Sequence, residues 1–171
     1  MNTKEIVLLG LFASILTSAQ IILSFLPNIE IVSLLILVFA IRLGARKTVW
    51  ITLLYSTLNI LLWGLNISTI GYFFIWSGYA VVCNKFKRFL NKDITVAIFL
   101  GVFGLIFGAL FAILYIPMGV SFAFSYWING LIFDLIHCIS NFIIGIWVFS
   151  PLLSGFDKAI KTTHKMSYYN I

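Results

Sequence analysis

Along its length the chain alternates between long apolar runs and short polar joints, with six runs in all. They fall at about residues 5–25, 30–41, 48–65, 69–84, 94–116 and 122–151. A helix needs roughly 20 apolar residues to cross about 30 Å of hydrocarbon, and the longer runs meet that length. The second and fourth are short, which predicts either extension into flanking residues or a crossing through a thinned or water-entered region. Turn signals punctuate the series: Pro27-Asn28, then Asn66 with Ser68, then Pro117-Met118-Gly119. The last run can tilt, or continue past Pro151 as an interfacial helix. The segment 157–171 reads as a polar, basic, loosely held cytoplasmic tail.

Charge sorts the joints into two kinds. All eleven Lys and Arg residues lie at Lys4, between Arg42 and Lys47, between Lys85 and Lys92, or from Lys158 onward. The joints near 26–29, 65–69 and 117–122 carry none. Cytoplasmic loops concentrate Lys and Arg. The pattern therefore predicts an all-α integral membrane protein: six transmembrane helices in one compact bundle, N and C termini cytoplasmic, with residues 1–171 a single domain. Composition agrees, since 62% of the 171 residues are hydrophobic and only 9% charged, against about 25% charged in a soluble domain. The mean hydropathy is +1.12. Six spans leave no room for a soluble catalytic domain. The net charge of +6 sits at helix ends, where it reads as topology and attraction to anionic lipid rather than nucleic-acid binding. An apolar run follows Lys4, but no A-x-A-like site leads into a soluble region. Residues 6–26 therefore read as a retained first helix, not a signal peptide.

Polar residues within the runs carry the candidate chemistry. Gly130, Asp134, His137 and Asn141 step by four, three and four, which places them on one helix face. A lipid-exposed Asp costs roughly 3 kcal/mol or more, so this face turns toward the bundle interior or water. Two readings stand: a polar floor beneath a ligand cavity, or an Asp–His–Asn network bracing the helices. The half of the bundle with Lys-free joints is rich in amphipathic aromatics: Trp63, Tyr72, Trp76, Tyr79, Tyr126 and Trp127. Interfacial belts account for many such residues, but Trp76 and Tyr79 lie one turn apart within a span. Asn28, Glu30 and Asn66 stand at the same ends of the spans and can hydrogen-bond a solute. Glu30 also suits a helix start, where the macrodipole favours an acid.

Small residues form two stripes. Gly10, Ser14 and Ser18, with Ala13 and Thr17 beside them, mark the first helix; Gly101, Gly104, Gly108 and Ala112 mark the fifth. Such stripes let membrane helices approach closely, within the bundle or against a partner. Cys83 and Cys138 sit in apolar runs without metal-ligand spacing and read as small hydrophobes. Gly44-Ala45-Arg46-Lys47-Thr48 lacks the order of a phosphate-binding loop, and no Gly-x-Ser-x-Gly, His-Glu-x-x-His or Cys-x-x-Cys occurs. No cofactor, no metal site and no motor are expected, so uphill transport would draw its energy from elsewhere.

This combination resembles the substrate-binding S components of energy-coupling factor (ECF) vitamin transporters, small six-helix membrane proteins without ATPase motifs. The likeness covers nearly the whole chain. It rests on Leu26-Pro27-Asn28-Ile29-Glu30, on Gly108-Ala109-Leu110-Phe111-Ala112, and on Tyr126-Trp127-Ile128-Asn129-Gly130 leading into Phe133-Asp134-Leu135-Ile136-His137, Asn141-Phe142 and Pro151-Leu152. The resemblance implies a non-enzymatic protein of the bacterial plasma membrane. It would capture a vitamin outside and deliver it inward with a shared transmembrane subunit and two cytoplasmic ATPases. It places an Ala-x-x-x-Ala docking pattern of the first helix at Gly10 and Ser14, with Ser18 one turn on. The Pro-Asn turn and final-helix motif are most similar to S components assigned to cobalamin precursors such as α-ribazole. The alternatives are a structural or assembly membrane protein, a self-sufficient channel, or a small membrane enzyme using Asp134 and His137 on a lipid or isoprenoid.

Overall fold

The computed structural model describes residues 3–169, with side chains from Thr3 to Lys161. Six α-helices follow in chain order: α1 Thr3–Leu23, α2 Val32–Leu43, α3 Ala45–Trp63, α4 Ile67–Phe86, α5 Asp93–Leu114 and α6 Val120–Tyr169. A short 3-10 turn at Ile116–Met118 links the last two, and no strand occurs among the described residues. Four helices (α1, α4, α5 and α6) are long and apolar enough to cross a membrane.

The remaining two differ from a simple span for separate reasons. α2 has 12 residues, about 18 Å at 1.5 Å per residue. Every residue from Val32 to Ala40 is buried, because α1, α3, α4 and α6 all pack against it. It is the core of the bundle. α3 is long enough, but Thr48, Thr52, Tyr55, Ser56 and Asn59 form a buried polar face along it. Thr52 Oγ1 and Ser77 Oγ share a hydrogen bond of 3.1 Å that ties this face to α4.

Polar contacts gather the basic clusters at one end. Arg42 forms a two-pronged pair with Asp157 at 2.7 and 2.8 Å, and Lys47 meets Glu5 at 2.9 Å. Ser150 Oγ donates to Asp93 at 2.6 Å. The start of α1, the α2–α3 joint, the start of α5 and the far part of α6 thus lie together. Since each helix reverses the chain, the Lys-free joints lie at the opposite end.

The glycine stripe of α5 is used inside the protein. A Cβ at Gly104 would lie 2.8 Å from the backbone carbonyl of His137, and one at Gly145 of α6 would lie 2.5 Å from Ala97 Cα. α5 and α6 therefore touch backbone to backbone, as small residues permit, and theirs is the most extensive helix contact.

The tail departs from expectation. α6 runs through Pro151 and continues to Tyr169, although proline has no N–H for the carbonyl one turn back. Packing holds the extension: the Phe156 ring lies 5.5 Å from both Phe12 and Phe39, and Asp157 engages Arg42. The tail expected to be loosely held from residue 157 is thus helical and tied down at its start. Its side chains beyond Lys161, and residues 170–171 entirely, lie outside the described residues.

Candidate functional site

The site is built where the connector between α1 and α2 folds back onto α6. Asn28 adopts a left-handed backbone with φ +56°, a conformation that Asn tolerates better than most residues. This turn lets its side chain donate to Phe133 O at 2.9 Å. Its own carbonyl accepts from Ser140 Oγ at 3.1 Å. Two residues on, Glu30 serves both the helix start and the site. Oε2 accepts the Ser33 backbone N–H at 2.8 Å, and Oε1 accepts Ser33 Oγ and faces His137 Nε2 at 3.1 Å. Burial acts to raise the Glu30 pKa, but His137, by hydrogen bond and charge, and the Ser33 bonds together hold it below the ordinary carboxylate value.

This wiring sets the polarity of His137. A carboxylate oxygen accepts, so Nε2 carries the proton that it donates to Glu30; Nδ1 presents a lone pair in the neutral ring and a second N–H in the imidazolium. Nδ1 is buried without a partner, in a side chain only 2% exposed. Asp134, one turn earlier and also 2% exposed, is half used: Oδ1 accepts the Gly108 N–H at 2.9 Å, and Oδ2 has no partner. Gly108 makes that approach possible, since a Cβ there would fall 2.6 Å from Oδ1. Trp76, 3% exposed, leaves its indole N–H unpartnered within a cluster that includes Tyr55, Tyr72, Tyr79 and Phe107.

These groups line two adjoining cavities. The inner lobe, about 320 Å³, lies under the connector and is bounded by Gln20, Glu30, Tyr55, Trp76 and His137. The second lobe, about 440 Å³, is bounded by Ser68, Gly108, Phe111, Tyr126, Asn129 and Asp134. Asn28, Tyr72 and Phe107 line both, so one wall serves two compartments. Aromatic walls with a few fixed polar groups are the usual makeup of a small-molecule site, and these volumes are in its range.

Of the residues expected to bind a solute, the cavities bring together Asn28, Glu30, Tyr72, Trp76, Tyr126, Asn129, Asp134 and His137. The others go elsewhere. Trp63 is 55% exposed at the end of α3. Asn66 caps α4, accepting the Thr69 N–H at 3.0 Å while its own N–H donates to Thr69 Oγ1 at 3.0 Å. Tyr79 lines a separate apolar groove between α4 and α5. Trp127 packs edge-on to Phe124. Asn141 donates to Leu100 O at 3.4 Å, bracing α6 to α5. Asp134 and His137 thus line cavities while Asn141 braces, so each reading of the polar face describes part of it.

Sequence reasoning passed over Gln20, Ser33, Tyr55, Ser68, Phe107 and Ser140. The three-and-four spacing of Thr48, Thr52, Tyr55, Ser56 and Asn59 on α3 was a signal for Tyr55. On α1 the small stripe divides: Ala13 is buried inside the bundle, whereas Ser14 and Ser18 are exposed and a Cβ at Gly10 would meet nothing within 4 Å. Among the described residues no group of His, Cys, Asp and Glu is arranged to hold a metal ion. Compared with protein-family models, with curated proteins and with solved structures, the chain has no match.

Proposed function

We propose that this chain is the substrate-capturing S component of an ECF-type vitamin importer. The reading rests most on one observation: an aromatic, two-lobed cavity at the Lys-free end of the bundle is walled by residues with four buried polar atoms that lack protein partners. Buried polar groups in native proteins are nearly always paired. On this proposal a solute seated in the lobes completes Gln20 Oε1, Trp76 Nε1, His137 Nδ1 and Asp134 Oδ2. In this reading all six helices cross the plasma membrane of a bacterium, both termini are cytoplasmic, and the cavity opens outward. α2 crosses inside a sheath of other helices, where its shortness is tolerable. The half-buried Gly10 and the exposed Ser14 and Ser18 meet a shared transmembrane subunit, and two cytoplasmic ATPases supply the work. The ligand is a vitamin or related micronutrient, with cobalamin precursors such as α-ribazole among the first to try.

Mass spectrometry of small molecules retained by the purified protein is the first test, followed by calorimetric titration of a vitamin panel without ATP. One solute binding at a 1:1 ratio is expected, and no binding across the panel would defeat the proposal. Gly10→Leu and Ser14→Leu should weaken co-purification with a transmembrane subunit and ATPases while leaving solute binding intact. For orientation, an impermeant thiol reagent on intact cells should label Asn66→Cys and spare Lys87→Cys.

A further inference from the structure

α4 and α5 follow one another in the chain but touch little, because α4 packs mainly on α3 and α5 on α6. The gap between them is a groove of about 450 Å³, running from Val82 and Phe99 at one end to Phe74 and Leu114 at the other. From Phe99 to Leu114 it follows α5 for about 22 Å at 1.5 Å per residue. Among its lining residues only Tyr79 carries a polar side-chain atom. Phe74, Val82, Val102 and Ile113 are exposed along it, so the groove opens away from the bundle. Gly78 also lines it, and a Cβ there would meet nothing within 4 Å.

At its Val82–Phe99 end the groove runs into a basic joint. The Phe99 ring lies 6.4 Å from that of Phe86, which lies 6.4 Å from that of Phe89. Phe86 and Phe89 are exposed and interleave with the exposed Lys85, Lys87 and Arg88, with Lys92 close behind. Among the described residues none of these four cations forms an ion pair. Asp93, the only acid between residues 85 and 93, accepts Ser150 Oγ instead. The joint itself is held in place: the Phe89 N–H donates to Phe86 O at 2.8 Å, and Leu90 is buried beneath it. Aromatic rings among cations are the usual makeup of the headgroup boundary of a bilayer.

We infer that the α4–α5 groove seats one acyl chain of an anionic phospholipid, with its phosphate among Lys85, Lys87, Arg88 and Lys92. A hydrocarbon slot with unpaired cations at one end matches an amphiphile with an anionic head. A water-soluble anion has no use for the slot, and a lipid without net charge has little for the cations. A leaflet is about half of the roughly 30 Å hydrocarbon thickness, so a chain of ordinary length fits within the groove. A polypeptide helix, about 10–12 Å across with its side chains, is too thick for it. This inference goes beyond the solute reading and requires only that the helices span a bilayer with their Lys-rich end at an anionic leaflet.

The test is native mass spectrometry of the full-length protein, released from nanodiscs made of equal parts phosphatidylglycerol and phosphatidylcholine with the same acyl chains. One phosphatidylglycerol per chain should be retained, favoured over phosphatidylcholine by at least about 20-fold, since each cation near a membrane surface is worth about fivefold. Lys87→Gln combined with Arg88→Gln should cut that preference about tenfold or more. The same pair of changes at Arg46 and Lys47, on the other basic joint, should leave it nearly intact. Gly78→Phe fills the groove from its wall and should abolish retention, whereas Gly78→Ala should keep it. Thermal melting checks that the variants fold; if Gly78→Phe does not, Val102→Trp fills the groove from the α5 side in its place. Equal retention of the two lipids overturns the inference, as does retention unchanged in the groove-filling variant or preference unchanged in the Lys87/Arg88 variant. A dimer mass that Gly78→Phe dissolves also overturns it, by giving the groove to a second polypeptide. No arm titrates a solute, so failure here leaves the receptor reading standing, and a failed vitamin panel leaves the lipid groove standing.

Discussion

Replacing Gly104 by Ala adds one methyl group at a backbone-to-backbone contact between α5 and α6. The new Cβ would lie 2.8 Å from His137 C and O and 2.9 Å from Cys138 N. All three are backbone atoms, so no rotamer change relieves them, and α5 and α6 must move apart. Overpacking of this kind costs about 1–3 kcal/mol, against a gain of about 0.5–1 kcal/mol from replacing Gly by Ala in a helix. The net expectation is a loss of roughly 0.5–2 kcal/mol. Gly78→Ala is the matched control, because a Cβ there meets nothing within 4 Å and only the propensity gain applies. Unfolding in detergent, followed by tryptophan fluorescence, should rank Gly78→Ala at or above the parent and Gly104→Ala below it. Gly104→Ala should also weaken solute binding, since the displaced backbone is that of His137. Equal stability of the two variants would refute the backbone-to-backbone contact.

Asn28→Gly should be tolerated far better than Asn28→Val, since a β-branched residue at φ +56° adds about 1–2 kcal/mol of strain; similar melting of the two would count against the turn. Glu30→Gln should destabilise the protein by about 1.5–3 kcal/mol near neutral pH through lost charge-assisted hydrogen bonds. Glu30 is held below its ordinary value of 4.5, so its contribution is full above that value and fades as pH falls through the folded one. The stability gap between parent and Glu30→Gln should therefore close in acid, and a pH-independent gap would contradict this. Arg42→Ala removes a pair whose side chains are 35% and 38% exposed. It should cost under about 1 kcal/mol, and a larger loss in the same unfolding assay would assign the pair a greater role in holding the α6 extension.

The helix count and the two ends of the bundle were legible because hydropathy and charge are local signals. The Gly130–Asp134–His137–Asn141 face was legible because helical periodicity is local too. What lay beyond reach was pairing across sequence distance. Glu30 and His137 are 107 residues apart, and nothing local says that the connector turns inward rather than outward at Asn28. Asn66 shows the converse, a polar residue at a span end whose side chain caps α4 and reaches back to Gly64 O. Tyr55 was hidden among apolar neighbours on α3, and only the periodicity of Thr52, Ser56 and Asn59 around it marks the inward face. Pro151 suggested a boundary, but the extension beyond it is held by contacts distant in sequence, the packing of Phe156 on Phe12 and Phe39 and the Arg42–Asp157 pair.

The carboxylate that orients His137 belongs to the connector, not to the helices that form the cavity. The polar arrangement of the inner lobe therefore depends on a segment outside every helix, held on α6 by the Asn28–Phe133 and Ser140–Asn28 hydrogen bonds. Without Asn28 and Glu30 in place, the imidazole loses the carboxylate that accepts from its Nε2. The stretch between α1 and α2 thus decides what the far helix can present, and a change in that loop is felt at a buried polar side chain of α6.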